Sequence, residues 1–122
     1  MGNFLIVAVG AGFGGAMRHG VNLLAARMLG TGFPFGTLAV NVLGSFLMGL
    51  LTQVFLARPE ITQEWRLLIT TGVLGGFTTF STFSLDAAVL MERGAIATAA
   101  GYVILSVLAS IGGLFLGLRV GG

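Results

Sequence analysis

Residues 34–57 read PFGTLAVNVLGSFLMGLLTQVFLA, 24 consecutive positions without a charge. At about 1.5 Å of rise per residue, a helix of that length crosses the roughly 30 Å hydrocarbon core of a bilayer. Three further runs with few charges follow, at about 4–29 (which holds Arg18 and Arg27), 66–91 (Arg66 and Asp86) and the charge-free 95–118. Composition agrees: 56% of the 122 residues are hydrophobic and 8% charged, with a mean hydropathy of +1.03. A soluble domain carries about a quarter charged residues, and six basic with four acidic side chains cannot cover a globule in water. The sequence therefore predicts an all-α membrane protein, a single domain over 1–122 with four transmembrane helices.

The breaks are short: GTGFP at 30–34, RPEITQEWR at 58–66, and Glu92, Arg93 and Gly94. Trp65 in the second break suits the membrane interface. The N-terminus lacks a basic leader region, and its Gly-rich run continues past Arg18 to about Leu29. It reads as a retained first span rather than a signal peptide. With no cysteine, disulfides and thiolate metal sites are excluded. The pI of 10.6 comes from a small excess of scattered arginines, which form no basic patch, so no nucleic-acid partner is expected. GAGFGG at 10–15 matches the dinucleotide fingerprint, but the first acid is Glu60 and no strand context exists. Helix packing explains it better. No nucleophile–base pair or metal cluster points to an enzyme.

Four spans place both termini on one side, with Arg58, Arg66 and Arg119; the other side holds Arg27 and Arg93. That near-balance gives almost no orientation signal. Either both orientations form, and oppositely inserted copies pair into an antiparallel dimer, or something other than charge fixes one. Small residues recur every four positions at Ala8, Gly12, Ala16 and Gly20, and again at Ala109, Gly113 and Gly117. Such rows let helices approach closely.

Polar groups in lipid cost free energy unless partnered, so their placement is informative. The second span carries Thr37, Asn41, Ser45, Gly49 and Gln53 at four-residue spacing, and the fourth carries Thr98, Tyr102, Ser106 and Ser110. Each row lies along one helix flank. The third span adds GGFTTFSTFSLD at 75–86, five hydroxyls among three rings, ending on Asp86. Any single hydroxyl is explained by a backbone bond. Three stripes together point to a shared hydrated track. Hydroxyls, an amide and a phenol are donors, which suit an anion; a metal-ion path would want carboxylates, and only Asp86 lies within the spans. Arg18, about 20 Å along the first helix, snorkels to the second interface, draws anions into a vestibule, or partners Asp86 or backbone carbonyls.

Gly72, Gly75 and Gly76 precede the hydroxyl run, and both residue types weaken a helix. A break is expected near 75–79, dividing the third span into two half-helices. Phe80 and Phe83 stack on one side of the second half, where ring edges could meet an anion or simply pack.

GFGGAMRH at 12–19, GTLAVNVLGSFLMG at 36–49 and GGFTTFSTFS at 75–84 together resemble the Fluc (CrcB) family of small fluoride channels, and the resemblance runs through the whole chain. His19 stands where that family usually has an aromatic, and Asp86 where Glu is frequent. The resemblance implies an antiparallel, dual-topology homodimer with two separate fluoride pores in a bacterial or archaeal plasma (inner) membrane. It assigns the pathway to Asn41, Phe80 and Phe83, to Ser81, Thr82 and Asp86, and to Tyr102, Ser106 and Ser110 with Thr37 nearby. It also implies a structural Na⁺ at the dimer interface, held by backbone carbonyls that match Gly75 and Thr78. Passive export of cytoplasmic fluoride is the function expected. The alternatives are a small dual-topology proton-coupled multidrug exporter, which needs a carboxylate in its binding site, and a non-transporting membrane scaffold, which needs no polar rows.

Overall fold

The computed structural model describes residues 2–122. The described residues form α1 (Gly2–Leu29), α2 (Phe35–Ala57), α3 (Gln63–Leu67), a wider π-helical stretch (Leu68–Leu74), α4 (Gly75–Phe77), α5 (Phe80–Glu92) and α6 (Ile96–Gly121). Four stretches are long and apolar enough to cross a membrane: Gly2–Leu29, Phe35–Ala57, Gln63–Glu92 and Ile96–Gly121. The chain is a multi-pass membrane protein. Phe4, Val9, Phe13, Leu24, Leu108 and Phe115 point outward, as they would where the surrounding solvent is lipid. The third span starts three residues before the apolar run because Thr62 caps it, its hydroxyl accepting from the Trp65 N–H at 3.4 Å. Charge counting cannot see a polar first turn.

The connections are tied down locally. Arg66 donates from Nε to the Ile61 carbonyl (3.1 Å) and from Nη2 to the Arg58 carbonyl (2.9 Å), and its guanidinium lies 5.2 Å from the Phe55 ring centre. A hydrogen bond from its own backbone and the Arg58 guanidinium hold the exposed Glu60 carboxyl below its ordinary value. After α5, the Ala95 N–H bonds the Leu90 carbonyl (2.9 Å) and the Gly94 N–H the Met91 carbonyl (3.0 Å), with Gly94 at φ +81°. That is a Schellman stop, in which only glycine adopts the left-handed position without strain.

Glycines set two close helix contacts. Along α2 and α6, a Cβ on Gly49 would strike the Leu114 carbonyl, and one on Gly117 the Phe46 carbonyl. Along α1 and the first half of the third span, Gly14 faces the Val73 carbonyl and Gly76 the Ala11 carbonyl. In lipid such backbone contact supplies packing that hydrophobic burial cannot. The α6 row is therefore the one expected. The α1 row is not: Gly12 and Gly20 meet nothing, and Gly10 with Gly14 makes the contact instead.

The third span breaks at Thr78–Thr79, where φ/ψ are −88°/161° and −156°/123°. The paired glycines do not make the break; Gly75 is helical at −61°/−38°. Thr79 then caps α5, its hydroxyl accepting from the Thr82 N–H at 3.2 Å. Behind the break lies the core, Phe83, Leu90, Ala99 and a wholly buried Tyr102.

Candidate functional site

Two side chains from other helices hold the broken backbone. Asn41 on α2 donates from Nδ2 to the Thr79 carbonyl (3.0 Å) and accepts the Thr79 N–H at Oδ1 (2.8 Å). Arg18 on α1 donates from Nε to the Gly76 carbonyl at 3.1 Å. Arg18 thus has a backbone partner, while Asp86 is bonded to Tyr102. Backbone stripped of helical bonds survives at membrane depth only where protein or water satisfies it.

The break forms the floor of an open groove of about 360 Å³. Asn41, Ser45 and Met48 line it from α2, Thr78, Thr79, Phe80 and Phe83 from the third span, and Ser106, Ser110 and Leu114 from α6. The groove contains no ionisable side chain. Its polar inventory is hydroxyls plus the second amide hydrogen of Asn41, left over once Thr79 is satisfied. Ser106 is 5% exposed, and its hydroxyl has no hydrogen-bond partner among the described residues. A buried unpaired hydroxyl costs free energy and calls for an explanation. Phe80 is 76% exposed at the groove, its ring 5.5 Å from Phe83 and tilted by 52°.

A second cavity of about 290 Å³ opens between the end of α1, residues 30–34 and α5. It gathers Thr37, Thr82 and Asp86 with Asn22 and Arg93. Tyr102 lies between the cavities. Its hydroxyl donates to Asp86 Oδ2 at 3.2 Å, and its ring lies 5.2 Å from Phe83. The expected pathway residues thus fall into two groups, one on each side of a Phe83–Tyr102 wall.

Tyr102, wholly buried, lines neither cavity itself, and Ser81 stands apart from both. It is exposed, 3.4 Å from the Thr79 hydroxyl, and lines neither cavity. Conversely, Ser45 and Thr79 line the groove; they belong to the polar rows, but the family resemblance assigns neither a pathway position. Ser45 was legible from the Asn41 row; Thr79 was hidden because its backbone, not its side chain, meets Asn41.

At the break, the N–H groups that would regularly serve the Gly75 and Thr78 carbonyls go instead to Asn41 and to the Thr79 hydroxyl. Those two carbonyls are free oxygen donors, which fits a small hard cation. Among the described residues no three His, Cys, Asp or Glu converge to hold a metal by side chains.

The profile of the family described as "CrcB-like protein, Camphor Resistance (CrcB)" matches residues 5–118. A protein of Methylobacterium nodulans named "Fluoride-specific ion channel FluC" is 62% identical, covering 97% of this chain and 94% of that one. "Fluoride-specific ion channel FluC 2" of Nitrobacter hamburgensis is 54% identical over 97% and 95%. A Granulibacter bethesdensis protein, also named "Fluoride-specific ion channel FluC", is 52% identical over 98% and 94%.

Proposed function

This chain belongs to the CrcB-like family, and from that premise we propose that it is a fluoride-selective channel, not an enzyme, that lets cytoplasmic fluoride leave passively. Fluoride enters acid-stressed cells as neutral HF and ionises in the near-neutral cytoplasm. The anion then leaves down its gradient, helped by the negative-inside potential. The observation that most supports the groove as the path is the unpartnered Ser106 hydroxyl among neutral donors. Fluoride holds its water tightly, and only fixed donors can replace that shell. Asn41, Ser106 and Ser110 supply them, the rings of Phe80 and Phe83 offer positive edges, and the route continues past Tyr102 to Thr37, Thr82 and Asp86. A groove without charge binds weakly enough to release the ion.

The working unit is an antiparallel, dual-topology homodimer in the bacterial inner membrane. The near-balanced arginines, the open row of Ala8, Gly12, Ala16 and Gly20, and the outward Phe80 and Ser81 support it. The Gly75 and Thr78 carbonyls would hold the structural Na⁺, which supplies positive charge to oxygens that helix bonding has abandoned. The unpaired carboxylate that a proton-coupled exporter needs is absent from the groove.

Efflux from liposomes under a potassium diffusion potential tests the function. Fluoride should leave rapidly while chloride is retained; loss of both anions, or no loss without a proton gradient, contradicts it. Two arginines added to either side should fix insertion. Activity should then require both forms together, and full activity from one form alone would contradict the antiparallel dimer.

A further inference from the structure

A ring outside the membrane-spanning helices completes the aromatic wall between the two cavities. Phe33 sits in the connection before α2, and its ring meets Tyr102 edge-on at 5.4 Å and 86°. With Tyr102–Phe83 at 5.2 Å and Phe83–Phe80 at 5.5 Å, four rings run without interruption from the connection to the groove. Phe35 backs Phe33 at 4.9 Å.

A ring on a loop is ordinarily a poor anchor, but this loop is fixed. The Phe35 N–H bonds the Phe33 carbonyl at 2.8 Å across Pro34, whose φ/ψ of −79°/65° are those of an inverse γ-turn. On the other side Gly30, at φ +80°, bonds back to the Ala26 carbonyl at 3.0 Å. Phe33 is thereby held with one face on the core and another lining the outer cavity. Its removal would give the Tyr102 ring room to swing toward that cavity, taking the hydroxyl off Asp86.

Resting on the channel reading above, we propose that Phe33 is a positioning residue for the ion path: its ring edge fixes Tyr102 at the wall the ion must pass. Tyr102 is the only tyrosine of the chain and Trp65 the only tryptophan, so in a Trp65→Phe background tyrosine absorption reports Tyr102 alone. Full-length Phe33→Ala and Phe33→Leu proteins should release fluoride from liposomes about 5- to 10-fold more slowly, the equivalent of one aromatic edge contact. Both should shift the second-derivative tyrosine band, and Phe33→Trp should restore the rate. Leucine fills the volume without a ring edge, so it carries the test if the alanine protein fails to fold. A wild-type rate or an unmoved tyrosine band in Phe33→Leu overturns the positioning role while the channel stands. Absence of fluoride release from the wild-type protein would instead remove the channel reading itself.

Discussion

Asn41 satisfies both backbone groups of Thr79, lines the groove and keeps one amide hydrogen that Thr79 does not use. In the channel proposed above, its structural and ion-handling roles are therefore coupled. Asn41→Ala strands two backbone groups at membrane depth, at about 1–3 kcal/mol for each. The unfolding midpoint in detergent should fall, and fluoride flux with it, whereas Ser110→Ala should slow flux and leave the midpoint in place. An unchanged midpoint in Asn41→Ala would contradict the pinning role. At this scale the sequence was informative about residue type: polar side chains spaced by four in apolar helices do converge, as Asn41, Ser106 and Ser110 show. It could not show which of the crowded hydroxyls at 78–84 would turn inward. That depends on the rotation of α5, which is set by the break, so Thr79 lines the groove and Ser81 does not.

Among elements, the third span stands apart because it is the one that does not stay helical. Its interruption was legible in GGFTTFSTFSLD, but its cause was not. Glycines are weak helix formers and threonines compete with backbone bonds, yet only the threonines leave the helix. Gly76 stays helical because its absent side chain lets α1 bring the Ala11 carbonyl against it, a contact between helices that one helix's sequence does not reveal. Gly76→Ala should accordingly destabilise by about 1–3 kcal/mol, the usual cost of overpacking. Gly101→Ala, on an open face of α6, should be neutral or stabilising by up to about 1 kcal/mol. Thermal unfolding of the two variants side by side checks this, and equal tolerance would mean that the α1 contact is looser than described.

For the whole molecule, the sparseness of charge makes all four spans legible, because a bilayer tolerates few charges and only Arg18 and Asp86 lie well inside a span. The two cavities and their dividing wall were beyond such counting, since they arise where α2, α5 and α6 meet. The resulting molecule is an apolar bundle with one uncharged polar groove, and in the channel proposed above selection rests on fixed donors and ring edges rather than on a charged side chain. The bi-ionic reversal potential tests that claim most directly, with fluoride on one side of a protein-containing bilayer and an equal concentration of chloride on the other. The account predicts a large potential of the sign set by fluoride alone, unmoved by a superimposed pH gradient. A reversal potential near zero would contradict it.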